Sequence, residues 1–366
     1  SSFEAQSDYD DGVVNTDSQQ FSSTVTASLT EQWNSNLILE KFEEGNMDAG
    51  AFGLTNSITK NKKLSWQNTY TVTASNLFSF GIDHQEQELR YSTFGALQTD
   101  TSRDNDGVYG VYIHENGPLD FTLSLRNDDN ERFGNHSTGS IAVGSDFGES
   151  VRAWVSYGTA FKAPNLIDLY VDFPSFFFFS NPNLKPETAE SIELSLQAEA
   201  LGATWQLNVF RNDIDDLIST DATFTSLANI QQARIDGMEA TASSTIAGWK
   251  FDAALTLLDH ENRNTGVNLL RRPEQTLSLN IAREFGAFDL AVNLLAQNEH
   301  LDIDPVNFGS STVGGFGIVN LIAGYRFNDE LNLRLRIGNL LDRQYQIVDG
   351  FNTQDRTAQL SLNFSF

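Results

Sequence analysis

The chain has no cysteine. That excludes a disulfide framework, a thiol nucleophile and cysteine-ligated zinc or iron–sulfur centres. Basic residues are scarce, with 23 Lys+Arg against 49 Asp+Glu for a net charge of −26. So acidic a chain lacks the basic surface that a phosphate backbone needs, which excludes nucleic acid as a partner. Long apolar runs are also missing. The purest, around Phe176-Phe177-Phe178-Phe179, falls far short of the roughly 20 residues of a membrane-spanning helix. Ser1-Ser2-Phe3-Glu4 shows neither the basic region nor the apolar run of a secretory signal. The five histidines (His84, His114, His136, His260, His300) have no metal-ligand spacing, and no nucleophile elbow, P-loop or zincin pattern occurs. The expectation is therefore a protein that is not an enzyme.

What is abundant is alternation. Leu360, Leu362 and Phe364 stand against Ser361, Asn363 and Ser365; Leu331, Leu333, Leu335 and Ile337 against Asn332, Arg334 and Arg336; Phe288, Leu290, Val292 and Leu294 against Asp289, Ala291 and Asn293. The same period of two runs through 119–125, 151–157, 192–196, 205–209, 251–257 and 277–281. A period of two means strands with two unlike faces, and no stretch shows a helical period. Strands recur roughly every 20 residues, which implies on the order of 18 passes. Short connections at 284–287 and 327–330 alternate with long ones at 171–188 and 300–316. Short turns at one end and long loops at the other are the plan of an outer-membrane barrel.

Two architectures fit: a soluble β-rich protein with the apolar face in a core, or a barrel with that face toward lipid. Strands of about ten residues, longer than in sandwiches, favour the barrel. So do the Arg, Asn, Gln, Asp and Ser of the opposite face and the aromatic last residue, Phe366. The fold class expected is all-β, a transmembrane antiparallel β-barrel of outer-membrane type.

A set of motifs then narrows the reading. Arg126-Asn127-Asp128-Asp129-Asn130, followed by Phe133-Gly134-Asn135-His136-Ser137-Thr138, is similar to the R-x-D-D-N-x-x-F-G-x-H-x-T of cobalamin receptors. Tyr157-Gly158-Thr159-Ala160-Phe161-Lys162-Ala163-Pro164-Asn165-Leu166 and Asn181-Pro182-Asn183-Leu184-Lys185-Pro186-Glu187 follow in the same order. So do Phe210-Arg211-Asn212-Asp213, Ala233-Arg234-Ile235-Asp236-Gly237-Met238-Glu239-Ala240, Leu269-Leu270-Arg271-Arg272 and Asn339-Leu340-Leu341-Asp342-Arg343-Gln344-Tyr345. Taken together they resemble the TonB-dependent outer-membrane receptors, in particular the cobalamin (vitamin B12) branch, well over 100–366 and loosely over 1–100.

The resemblance implies a 22-stranded barrel filled by an N-terminal plug, of which fewer strands are visible here. Residues 1–366 read as the barrel domain alone. The plug, the TonB-binding segment and the first strand are expected outside this chain, since an open sheet edge in lipid would leave backbone groups unpaired. The implied function is TonB-dependent uptake of cobalamin or a related corrinoid at the bacterial outer membrane. The implied partners are outer-membrane lipid and lipopolysaccharide, TonB through a plug, and the solute. Alternatives are a siderophore receptor of the same family, a plugless porin-like channel, and a soluble β-rich adhesin or lectin.

Candidate substrate-binding residues follow. Arg271 and Arg272 match an arginine pair of the cobalamin receptors and could donate hydrogen bonds to solute amides or phosphate, or else pair with acidic loops. Phe176, Phe177 and Phe178 form an aromatic cluster on a long loop, where they could stack on a flat ligand or pack beneath the loop. Asn165 stands at the start of that loop. Prolines 164, 182 and 186 mark strand ends. Asn293, Asn320, Arg334 and Arg336 are expected on the lumen face. Asp10, Asp11 and Asp17, with Asp8 and a second group at Asp100, Asp104 and Asp106, resemble oxygen-rich calcium loops, so calcium is the one cofactor considered.

Overall fold

The computed structural model describes residues 2–4, 13–50, 53–221, 223, 225–307 and 309–365. Asp8, Asp10, Asp11 and Phe366 lie outside them. The first ten strands are β1 Ser2–Glu4, β2 Val13–Ser28, β3 Trp33–Gly50, β4 Gly53–Thr73, β5 Asn76–Thr93, β6 Ala96–Asn116, β7 Leu119–Asn130, β8 Gly134–Phe147, β9 Val151–Lys162 and β10 Glu187–Ala200. Then come β11 Ala203–Thr220, β12 Leu227–Ile246, β13 Trp249–Asn262, β14 Gln275–Phe285 and β15 Phe288–Gln297. The last are β16 His300–Ile303, β17 Ser310–Val313, β18 Phe316–Arg326, β19 Leu331–Gly338 and β20 Thr357–Phe364. Eighteen belong to one sheet, and β16 with β17 forms a separate hairpin. An all-helix-free chain was the expectation, yet one short helix, α1 Leu166–Tyr170, and a 3-10 turn at Pro174–Phe176 sit in the loop between β9 and β10. Five residues leave too little periodicity to read from sequence. No helix among the described residues is long and apolar enough to cross a membrane.

By internal contacts the chain divides into two units: Ser1–Ser145, Val155–Ile192 and Asn212–Ala233 in the first, and Asp146–Trp154, Glu193–Arg211 and Arg234–Phe366 in the second. In the first, β2 to β7 pair antiparallel in chain order. Their register puts apolar side chains in rows, such as Leu37, Trp66, Ile82 and Val108. These rows are exposed, while Asp83, Arg103, Asp128 and Asn130 are buried. A soluble protein does the reverse. Leaving each large apolar side chain in water costs on the order of 1.5–3 kcal/mol, so this face calls for lipid.

The strands expected at about ten residues are longer here: β2 to β6 run from 16 to 21 residues. The reason lies on the apolar face itself. Toward the loop end it turns charged, with Lys41 opposite Lys62, Lys62 opposite Glu86 and Lys60 opposite Glu88. Lys62 binds Glu86 at 3.0 Å and Glu88 at 2.5 Å. About 10 residues suffice to cross the hydrocarbon, and the remainder of each strand continues beyond it. Asp100, Asp104 and Asp106 lie in this charged part of β6 rather than in a loop, with His84 bound to Asp106 at 2.8 Å. Asp17, also expected in a loop, lies within β2 opposite Gly45.

In the second unit β13, β14, β15, β18, β19 and β20 pair antiparallel in order. One row runs Phe251, Ile281, Val292, Leu321 and Ile337. Leu360, Leu362 and Phe364 are each more than three-fifths exposed. The opposite face is amidic. Asn293 donates to Asn280 at 2.6 Å, and Asn320 accepts from the Asn339 backbone N–H at 2.9 Å. Arg334 and Arg336 share the Asn320 face by register.

Candidate functional site

In each unit the long loops gather at one end of the strands. In the first unit, residues 163–186 fold back on the sheet. Leu166, Leu169 and Val171 are buried, and Leu166 and Val171 pack with Leu89 and Tyr91. Arg103 fastens this loop: its guanidinium donates to the Pro164 carbonyl at 2.9 Å and to Gln87 at 2.6 Å. Arg132 donates to the Tyr170 hydroxyl and the Pro182 carbonyl, and lies over the Phe133 and Tyr170 rings. Buried Glu187 closes the loop by accepting from Lys162 at 3.0 Å and from the Ile218 N–H at 2.8 Å. Asn229 clamps Lys185 from both sides, accepting from its N–H and donating to its carbonyl, each at 2.9 Å.

Two of the sequence motifs thus meet as an ion pair across the loop they bracket. Others act the same way. Arg126 forks onto Asp83, at 2.8 and 3.0 Å, and onto Asp128. It lies so flat on Gly107 that an added Cβ there would come within 2.1 Å of a guanidinium nitrogen. His136 stacks on Phe161 with centroids 3.8 Å apart. Arg211 binds Asp236 through two nitrogens, at 2.6 and 2.9 Å.

The candidates of this loop divide. Asn165 is exposed and precedes α1, accepting from the Leu169 N–H, while its own N–H donates to Asp168 at 3.3 Å. Burial pushes the Asp168 carboxyl above its usual range, against that hydrogen bond. Phe177, in the left-handed region at φ 52°, is 70 % exposed, and Phe179 is exposed as well. Phe178 is half-buried and its backbone pairs with Phe173. The Phe176 side chain lies outside the described residues. The expected cluster therefore presents Phe177 and Phe179, not the run as a block.

In the second unit three loops, 263–274, 298–315 and 339–356, converge on Asp302, which has no exposed surface. Asp302 accepts from Arg271 Nε at 2.7 Å, the Asp349 N–H at 2.8 Å and the Ile303 N–H at 2.8 Å. Burial alone would raise this carboxyl, but Asp349 N–H, Arg271 and Ile303 N–H together hold it below the ordinary range. The Arg271 N–H also donates to the Leu301 carbonyl at 2.7 Å. His260 accepts from the Leu269 N–H and donates to the Arg272 carbonyl; His300 donates to the Ile347 carbonyl.

The arginine pair separates accordingly. Arg271 is half-exposed, at φ 56°, with Nε locked by Asp302 and its terminal nitrogens left to donate. Arg272 contributes its carbonyl to the loop framework. Sequence reasoning missed Asp302, Asp349 and Glu187. Glu187 stood in a quoted motif, whereas Asp302 carried no local signal. Among the described residues no group of three or more His, Asp or Glu could hold a metal.

The chain matches a family model, "TonB dependent receptor-like, beta-barrel", over residues 1–340. The chain belongs to this family. Its members are transport receptors of the bacterial outer membrane, which is where this chain resides. Among solved structures it resembles the copper transporter OprC, at 16 % identity and TM-score 0.79, covering 98 % of this chain and 66 % of that one. It also resembles the siderophore receptor PiuA from Acinetobacter baumannii, at 14 % and 0.79, covering 99 % and 67 %. A third is FpvA of P. aeruginosa with heterologous pyoverdines, at 15 % and 0.80, covering 95 % and 56 %. The chain thus spans 56 to 67 % of these receptors' lengths. Their likeness is one of fold, and the cobalamin branch suggested by the motifs finds no support in them.

Proposed function

We propose that this chain is the barrel portion of a receptor that takes up a scarce, bulky metal chelate of the ferric-siderophore type, driven through TonB and a plug domain. The observation that carries the reading is the family match along nearly the whole chain. The names of the similar structures favour a metal chelate over a corrinoid. Two features of the loops suit such a solute: exposed rings at Phe177 and Phe179 for stacking, and Arg271 held by Asp302 as a fixed donor toward carboxylate, hydroxamate or catecholate oxygens. Cobalamin is the second reading, favoured by the order of the motifs.

The test is a titration of the full-length receptor, plug included, with ferric hydroxamate, ferric catecholate, copper and cyanocobalamin, each with and without calcium, read by tryptophan fluorescence. Saturable submicromolar binding of a ferric chelate supports the proposal. Binding of cyanocobalamin alone moves the assignment to the corrinoid branch. Calcium dependence would assign Asp10, Asp11 or Asp17 a ligand role.

A further inference from the structure

The lipid-facing side of β14, β15, β18, β19 and β20 carries one charge. By register that face comprises Leu277, Leu279, Ile281, Arg283 and Phe285 on β14 and apolar residues, a glycine or a tyrosine at the matching positions of the other four strands. Arg283 stands opposite Trp249, three residues before Gly286 of the turn, at the short-turn end. Its guanidinium lies over the Trp249 ring at 5.4 Å and the Phe285 ring at 4.6 Å. Phe285 is opposite Phe288, and Phe288 opposite Tyr325, so the charge sits in an aromatic band. The neighbouring hairpin turns through Ala247 and Gly248, both at positive φ, and the nearest guanidinium atom is 3.6 Å from the Cβ position of Gly248. A Cβ there would meet the arginine at ordinary van der Waals distance, so the positive φ, not lack of space, is what favours glycine at this turn. Arg283 makes no ion pair among the described residues.

A bare cation on a lipid-facing surface is costly unless it reaches the interface and a counter-charge. Aromatic bands mark that interface, and short turns mark the periplasmic side. The two rings hold the guanidinium by cation–π contact, which uses none of its N–H donors and leaves them for an anion. We propose that Arg283, with Trp249 and Phe285, binds the phosphate of an anionic phospholipid in the periplasmic leaflet. The ligand class is a glycerophosphate headgroup whose acyl chains lie along the Ile281, Val292 and Leu321 row.

The test uses the full-length receptor in detergent and native mass spectrometry, with dioleoylphosphatidylglycerol as probe. Arg283→Gln keeps the stem and removes the charge; Arg283→Lys keeps the charge. Heat-modifiable gel mobility reports the fold. The wild type is expected to retain one phosphatidylglycerol ahead of all others, Arg283→Gln to weaken that first binding roughly fivefold, as loss of one basic contact implies, and Arg283→Lys to stay within about twofold of wild type. Dioleoylglycerol, which has no phosphate, should bind all three alike, and inorganic phosphate at millimolar concentration should not displace the lipid. Equal phosphatidylglycerol binding by wild type and Arg283→Gln overturns the proposal. So does displacement by inorganic phosphate, which would make the arginine a site for free anion. If Arg283→Gln loses the heat-modifiable fold, Phe285→Leu removes the nearer of the two rings under the guanidinium and should weaken the same first binding; an unchanged value there also overturns it.

Discussion

Replacing Asp302 by alanine should unfasten three loops while leaving the strands intact. The carboxylate is fully buried and accepts three hydrogen bonds, two from backbone N–H groups and one from Arg271. Removing it strands the Ile303 and Asp349 donors, at about 1–3 kcal/mol each. The Arg271 side chain is half-exposed, so its ion pair adds less than about 1 kcal/mol. Near the low end, about 3 kcal/mol, local opening becomes roughly 150-fold more frequent. Hydrogen exchange resolved to residues 298–356 is the assay. The Asp349 and Ile303 amides should exchange about two orders of magnitude faster, with the β14, β15 and β18 amides unchanged. Exchange at Asp349 equal to wild type would show that the carboxylate does not hold the loops together. The pH dependence has a fixed sign. The folded carboxyl is held below its ordinary value, so its contribution is present above the unfolded value of about 3.9 and is lost as pH falls through the lower folded value. Loop protection, corrected for intrinsic rates, should therefore be flat from about pH 7 to 5.

Other outcomes follow from the same geometry. Arg126→Ala leaves Asp83 and Asp128 facing each other without a cation and should destabilise the folded state by about 3–5 kcal/mol, read as a lower midpoint in denaturant; loss of under about 1 kcal/mol would refute it. Asp168→Asn should dock the 163–186 loop at least as tightly as wild type near neutrality. Burial raises this carboxyl, so the charged form opposes docking, and the wild-type loop should tighten as pH falls through the raised value; limited proteolysis of the loop at neutral and acid pH checks both. Arg211→Ala, at a half-exposed pair, should cost under about 1 kcal/mol in the same denaturation experiment.

Much of the sheet was legible because an apolar residue at every second position is a local signal. Leu290, Val292 and Leu294 occupy the face that alternation assigns them, and Asn293 and Asn320 meet across the other. The lengths of β2 to β6 were not legible. Lys60, Lys62, Glu86 and Glu88 occupy apolar-face positions above the hydrocarbon, where alternation ends though the strands continue. The site was legible in type but not in arrangement. Arg271 stood out by its motif, but the partner that fixes it lies 31 residues away in a loop without periodicity. Most motifs proved to be brackets, as with Lys162 and Glu187, because residues that close a loop leave as sharp a local pattern as residues that touch a ligand.

The central claim is that alternate side chains of these strands face lipid and an aqueous interior. The chain has no cysteine, so single cysteines can be placed one at a time from Leu290 to Leu294 and spin-labelled in the receptor reconstituted in bilayers. The account predicts that labels at 290, 292 and 294 are relaxed by lipid-soluble oxygen, and those at 291 and 293 by a water-soluble nickel chelate. Access of the nickel chelate to all five positions would contradict it.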